Sequence, residues 1–169
     1  EAALLGLNRA PGLNRRNFGF MHLKGYDAAA WEKLRAEAAG AGRNELKAPI
    51  VATDHDPAAI EAAKKNAALA GVERFIEFKV CDYADTPVPA GGGVVVINPE
   101  YGERMGDEKE LKSVYWGLGN FLKRKCAGYK GFLFTGNLRL TKNIGLKPAR
   151  RRLFFNGPIE CRLIEFELY

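Results

Sequence analysis

The chain has 169 residues, 47% of them hydrophobic, which is enough for one α/β domain with a core but too little for two. It contains no run of about 18 apolar residues and no leading signal-type segment, so we expect no membrane anchor. The cysteines Cys81, Cys126 and Cys161 follow no disulfide or metal-binding spacing. These features exclude a disulfide scaffold and predict a cytoplasmic protein without a metal site.

The formal net charge of +6 favours a polyanionic partner, although only weakly, because many basic proteins never bind nucleic acid. Some of the charge is clustered, at Arg15-Arg16, Lys123-Arg124-Lys125 and Arg150-Arg151-Arg152. The second cluster has a simpler interpretation as the solvated last turn of a helix, where cations are favoured. The third admits either reading.

The N-terminal part of the sequence predicts helix, loop and helix. Residues 1–7 resemble the middle of a helix without a capping residue, so we expect the chain to begin after an element that is missing. Residues 8–26 have no clear periodicity and predict a loop with aromatic plugs at Phe18 and Phe20. Asp27 then predicts the start of a helix over 28–39.

The central part alternates strands and helices. Residues 50–53 and 75–80 predict strands, and Asp56-Pro57 starts a helix that runs to 70, with Gly71 in the left-handed terminal position. Residues 94–97 are all apolar, which predicts a strand buried on both faces.

A long helix is predicted over 108–126, and the chain then returns to strands. Five residues at helical spacing predict the inner face of this helix: Leu111, Tyr115, Leu118, Leu122 and Cys126. Residues 132–135 predict a further strand, 137–143 a short helix, and 150–155 with 160–168 a hairpin. We therefore expect one α/β domain over 1–169, with a mainly parallel sheet, a C-terminal antiparallel hairpin and a missing first strand.

Two acidic residues follow predicted strands at the edge where such sheets bind ligands. Asp54 ends the first of these strands and is a candidate for binding ribose hydroxyls, as in enzymes that use NAD or S-adenosylmethionine. Asp82 follows the next strand and is a candidate acceptor for an adenine amine. Each carboxylate is also compatible with a simple turn or capping role.

The segment Asn98-Pro99-Glu100-Tyr101 follows the apolar strand and carries the most specific chemistry. Proline removes an amide donor and restricts the preceding residue, so the turn presents oxygen acceptors, including the Asn98 side chain. Two acceptors that converge on an amino group would hold its protons and direct its lone pair. Tyr101 is suited to stacking on the base that carries the amine.

The segment Asn98-Pro99-Glu100-Tyr101-Gly102-Glu103-Arg104-Met105-Gly106 resembles the NPPYGER(L/M)G signature of amino-methyltransferases. It is most similar to that of the bacterial 23S ribosomal RNA guanine-N2-methyltransferases that carry a THUMP domain, within the N6-adenine-methylase-like family. Residues 1–16, 134–137 and 155–162 resemble further segments of that family. The resemblance covers almost the whole chain.

This resemblance implies a Rossmann-like class I methyltransferase fold, S-adenosylmethionine as cofactor and 23S ribosomal RNA as partner. It assigns Asp54 to the cofactor ribose and Asp82 to its adenine. Asn98, Pro99 and Tyr101 are assigned to the target base, and Asn98 is also expected to contact the cofactor. Glu100 departs from the family's second proline. The family's first strand and glycine-rich loop are expected upstream of Glu1, so the methyltransferase domain is expected to be truncated at its N-terminus.

Three other functions remain open. An adenine-N6 methyltransferase acting on DNA or RNA would use the same Asn-Pro-x-Tyr device. A nicotinamide-dependent dehydrogenase would bind its cofactor through Asp54. That function also needs a proton relay, which this sequence does not show, since neither His22 nor His55 has an evident catalytic partner. A non-catalytic RNA-binding fragment would use only the basic residues.

Overall fold

The computed structural model describes residues 1–100 and 108–169, with the side chain of Glu108 excluded. The chain folds as two compact units, one of residues 1–82 and one of residues 83–169. None of the described helices is long and apolar enough to cross a membrane.

The first unit contains a pair of parallel strands and three α-helices. Its elements in chain order are α1 (Ala2–Gly6), α2 (Ala28–Gly40), β1 (Ile50–Asp54), α3 (Pro57–Leu69) and β2 (Ile76–Val80). β1 and β2 pair in parallel, with Asp54 opposite Val80. The core of this unit contains Ala3 and Leu7, on and just after α1, packed with Ala67 and Val72 at the end of α3.

The ends of α3 form as the sequence predicts. The Asp56 carboxylate accepts a hydrogen bond from the Ala58 amide at 2.8 Å, and Pro57 occupies the first turn, where its missing amide costs nothing. Gly71 has a φ of 67°, the left-handed conformation that ends a helix. The aromatic side chains of the predicted loop also pack together, because the rings of Phe18 and Phe20 lie 5.4 and 4.8 Å from that of Trp31, although Phe20 stays 40% exposed.

The second unit is a four-stranded sheet with one long helix. Its elements are β3 (Gly93–Ile97), α4 (Glu108–Lys125), β4 (Tyr129–Thr135), β5 (Arg150–Asn156) and β6 (Ile159–Glu167), with a short 3-10 helix at Leu140–Ile144. The strand order is β3-β4-β6-β5. β3 and β4 are parallel, whereas β6 is antiparallel to both β4 and β5.

The prediction that β3 is buried on both faces is wrong. β3 is an edge strand of its four-stranded sheet, and the side chains of Val94 and Val96 are 62% and 65% exposed. Val95 and Ile97 point to the other face and pack against the core. An unbroken apolar run therefore does not by itself show that both faces are covered.

Helix α4 packs through the face that the sequence predicts. All five residues of the predicted inner face are buried: Leu111, Tyr115, Leu118, Leu122 and Cys126. They join Leu133 of β4 and Ile164 of β6 in one core. The second unit therefore has a well-packed sheet face beneath α4, which fixes the positions where β3 and β4 end.

Candidate active site

In the first unit, Asp54 and Asp82 lie at the carboxyl ends of the two parallel strands β1 and β2. The Cys81 amide donates a hydrogen bond to the Asp54 carbonyl oxygen at 3.0 Å, which continues the β1–β2 pairing to the residue before Asp82. The Asp54 side chain is 43% exposed, and Asp82 is exposed. Two carboxylates at the ends of adjacent parallel strands can accept hydrogen bonds from hydroxyl and amino groups of one ligand.

The Asp54 carboxylate is oriented by its own turn. Its Oδ1 atom accepts a hydrogen bond from the Asp56 amide at 2.9 Å and lies 3.4 Å from Nδ1 of His55. Asp56 has a different role, because its carboxylate caps α3. The two acids of this turn therefore have the separate positions that the sequence indicates: Asp56 caps α3, and Asp54 lies at the end of β1.

The two histidines have polar neighbours but no catalytic arrangement. His55 is 79% exposed beside Asp54, and Nε2 of His22 is 2.9 Å from Oδ1 of Asn17 in an exposed loop. Within residues 1–100 and 108–169 there is no group of three or more histidine, cysteine or acidic side chains placed to hold a metal.

In the second unit, Asn98 and Pro99 directly follow β3. Asn98 is exposed and Pro99 is half-buried. β3 and β4 are parallel, and Ile97 pairs with Leu133. Asn98 therefore lies at the end of the sheet toward which both strands run. Tyr101, the third residue predicted for the target base, lies outside the described residues.

The end of β4 is anchored by a buried hydrogen bond that the sequence did not indicate. The hydroxyls of Tyr115 and Thr135 lie 2.7 Å apart, and both side chains are fully buried. The Thr135 hydroxyl also accepts a hydrogen bond from the Asn137 amide at 3.1 Å. Asn137 in turn accepts from the Arg139 and Leu140 amides. The turn after β4 is thus tied to α4, the helix that supports β3.

The family follows from a comparison with known proteins. The sequence pattern of the RMKL-like methyltransferase domains (UPF0020) matches residues 1–165. The chain belongs to this family. The resemblance that the Asn-Pro-x-Tyr segment indicated is therefore confirmed, and the α/β methyltransferase fold with it.

Several RMKL-like relatives cover the whole chain. Ribosomal RNA large subunit methyltransferase K/L of Syntrophotalea carbinolica is 40% identical over 99% of this chain, which spans 24% of that protein. The protein of the same name from a Shewanella species is 37% identical over all of it, again 24% of the relative's length. The chain thus spans about a quarter of the length of these two relatives.

Solved structures agree with the family assignment. SMU.472, solved in complex with SAH, matches with a TM-score of 0.89 and 28% identity over 99% of this chain and 44% of that one. A predicted N6-adenine-specific DNA methylase from Listeria monocytogenes matches with a TM-score of 0.83 and 30% identity over 99% of this chain and 43% of that one. The described strands and helices are thus those of the RMKL-like methyltransferase fold.

Proposed function

We propose that this chain transfers a methyl group from S-adenosylmethionine to an exocyclic base amine of RNA, namely guanine N2 of 23S ribosomal RNA. The observation that carries the proposal is the Asn98-Pro99 segment, which we call the Asn98 corner. It directly follows a strand of the second unit, in a chain of the RMKL-like family whose relatives are named as ribosomal RNA methyltransferases.

The carboxylates of the first unit suit this cofactor. Asp54 presents an accessible carboxylate at the end of β1, and its orientation is fixed by the Asp56 amide, so it would accept hydrogen bonds from the ribose hydroxyls. Asp82, one residue past the Cys81–Asp54 hydrogen bond, would accept one from the adenine amine. The relative SMU.472 was solved with SAH, which has the same nucleoside.

The second unit would hold the target amine. Guanine N2 is a poor nucleophile because its lone pair is delocalised into the ring. The Asn98 side-chain oxygen and the Pro99 carbonyl would accept hydrogen bonds from its two N–H groups, favour a pyramidal nitrogen and stabilise the positive charge that develops on it. The methylated nitrogen would then release one proton to water, which leaves neutral N2-methylguanine. Tyr101 would stack on the base. When bound, S-adenosylmethionine supplies an already activated methyl group, so these residues contribute mainly alignment, worth several kcal/mol.

The positive charge of the chain supports an RNA partner. Arg150, Arg151 and Arg152 are all exposed on β5, an edge strand of the four-stranded sheet. The cluster Lys123-Arg124-Lys125 occupies the last turn of α4, as the simpler reading predicted, and Lys125 donates to the Ala84 carbonyl at 2.6 Å. The arginines of β5 are therefore the better candidates for phosphate contacts. The reaction is assigned to the cytoplasm, which the sparse cysteines suit.

The proposal is tested by incubating the natural full-length protein with labelled S-adenosylmethionine and large-subunit ribosomal RNA that lacks the modification. Digestion and mass spectrometry should then show N2-methylguanine as the labelled nucleoside. Label in no nucleoside would contradict the proposed activity. RNA affinity should also fall steeply with added salt, and a salt-independent affinity would contradict the role given to the β5 arginines.

A second candidate is methylation of adenine N6. The Asn-Pro corner can hold any exocyclic base amine, and the similar Listeria structure is named as a predicted N6-adenine-specific DNA methylase. The same digest distinguishes the two, because N6-methyladenine and N2-methylguanine separate by mass and retention time. A matched reaction with single-stranded and duplex DNA shows whether the substrate is DNA.

A further inference from the structure

Asn98 lies at the end of the four-stranded sheet where β3 stops, and the turn of the β5–β6 hairpin lies at the same end. The pairing is continuous across the sheet: Ile97 lies opposite Leu133, and Leu133 opposite Ile164. Farther along, Thr135 pairs with Arg162, and Phe155 pairs with Glu160. The tip of the hairpin therefore extends beyond the level at which β3 ends, at the same end of the sheet as Asn98.

The register gives the approximate separation of this tip from the corner. Phe155 lies four residues beyond the level of Ile97, or three beyond Asn98, which is about 10 Å along the strands. It is three strand spacings away from β3, about 14 Å across the sheet. This span fits within the stretch of about four nucleotides that compact RNA-binding modules hold.

Phe155 is exposed in a way that core packing does not explain. Its side chain is 65% exposed on an edge strand. By contrast, its neighbour Phe154 faces the opposite side of the sheet and contacts the ring of Phe134, with centroids 6.1 Å apart. Phe155 therefore presents a large aromatic surface to solvent near the proposed target site.

The charges at the hairpin tip favour a base over a phosphate as the ligand of this ring. The Arg162 guanidinium lies 2.7 Å from the Glu160 carboxylate, so these two opposite charges neutralise each other. The three arginines of β5 begin at the other end of the strand, where Arg151 is level with Ile164. The tip thus offers an aromatic face beside a neutral ion pair. Unpaired bases stack on such faces in single-stranded RNA complexes.

We propose that Phe155 is a positioning residue that stacks on an unpaired base flanking the target nucleotide. This inference rests on the proposed function, because it takes the Asn98 corner as the site of the target amine. A stacked flanking base would fix the path of the RNA strand past the corner. It would lower the KM for RNA without touching the reacting atoms.

The test compares three variants of the natural full-length protein with wild type. Phe155→Leu keeps an apolar side chain but removes the aromatic face, and Phe155→Trp keeps the face. The control, Tyr169→Leu, removes a 98% exposed aromatic ring just after β6, toward the opposite edge of the sheet. For each protein, the measurements are affinity for single-stranded RNA oligomers by fluorescence anisotropy, KM and kcat for ribosomal RNA, and S-adenosylmethionine affinity by calorimetry.

Phe155→Leu should weaken RNA affinity and raise the KM for RNA by roughly 5- to 150-fold, the range expected for loss of one stacked base. Its kcat and S-adenosylmethionine affinity should stay at the wild-type values. Phe155→Trp should retain RNA affinity to within about twofold, and Tyr169→Leu should behave as wild type.

Three results would overturn the inference. They are unchanged RNA affinity in Phe155→Leu, equal losses in Phe155→Leu and Tyr169→Leu, or loss of the cooperative unfolding transition in Phe155→Leu, which would make the residue structural. If wild type methylates no RNA, the proposed function fails. The affinity comparison still decides the role of Phe155, so the two failures are distinguishable.

Discussion

The backbone amide of Cys81 donates a hydrogen bond to the carbonyl oxygen of Asp54, 3.0 Å away. This bond joins the ends of two parallel strands that are separated by a whole helix in the sequence, and it places Asp82 beside the turn that carries Asp54. The nearness of these two strand ends is the basis on which we propose that both acids bind one cofactor.

Asp54→Asn should weaken S-adenosylmethionine affinity about 10- to 100-fold, because a hydrogen bond to a charged group contributes roughly 1.5–3 kcal/mol. The matched control is Asp56→Asn, which removes one charge from the same turn but leaves a residue that caps helices equally well. Isothermal calorimetry on both variants decides the point. Equal affinities in Asp54→Asn and wild type would mean that Asp54 only shapes the turn.

Tyr115→Phe should lower the free energy of unfolding by about 1 kcal/mol, because the Tyr115 and Thr135 hydroxyls are bonded in the core. Urea denaturation measures this change. Thr135→Val and the double variant complete a cycle, and the two single effects should sum to more than the double effect. Additive effects would show that the two hydroxyls do not stabilise each other.

Gly119→Ala should destabilise the protein by about 3 kcal/mol. A β-carbon at this buried position of α4 would collide with the backbone carbonyl of Ile144, which cannot rotate away as a side chain can. Gly40→Ala is the control, since nothing lies near its β-carbon position in α2, and it should leave stability unchanged or raise it by up to about 1 kcal/mol. Thermal unfolding compares the two. A neutral Gly119→Ala would show that the contact between α4 and the 3-10 helix is loose.

The cysteines should differ in their reaction with thiol reagents. Cys81 is half-buried, whereas Cys126 and Cys161 are fully buried, so Cys81 should be modified first in the native protein. Burial raises the pKa of the Cys126 thiol, an effect that nearby Lys125 partly opposes.

The raised pKa of Cys126 also predicts a dependence of stability on pH. An acid that ionises less readily in the folded state loses protons first in the unfolded state, so its contribution to stability falls as the pH rises through the unfolded pKa. Wild type should therefore lose stability relative to Cys126→Ala in alkaline solution, and parallel pH profiles of the two proteins would refute this.

Patterns local in sequence predicted most of the elements. The Asp56-Pro57 cap, the left-handed Gly71 and the inner face of α4 all depend on neighbours within a few residues, and all three are confirmed. The position of Asn98-Pro99 directly after a strand was likewise predicted, because strand and motif are contiguous.

Features that depend on the order of strands were not predicted. Val94 and Val96 lie on the face of β3 opposite the core, and their exposure shows that the described residues leave this face open, which no local pattern encodes. The Tyr115–Thr135 hydrogen bond likewise joins a helix and a strand 20 residues apart. The exposed position of Phe155 became evident only when the register of three strand pairs was known.

The most direct test of the account is the methyl-transfer rate of Asn98→Ala in the natural full-length protein, with ribosomal RNA as substrate. Loss of the side-chain acceptor should lower kcat at least about 100-fold, as loss of one preorganised hydrogen bond to a developing charge does in other enzymes. S-adenosylmethionine affinity should stay within a few-fold of wild type. Asn98→Asp keeps an oxygen acceptor and should retain more activity than Asn98→Ala. Asn44→Ala, which removes the same amide from an exposed turn, should have no effect. Wild-type turnover in Asn98→Ala would contradict the central claim that this corner holds the target amine.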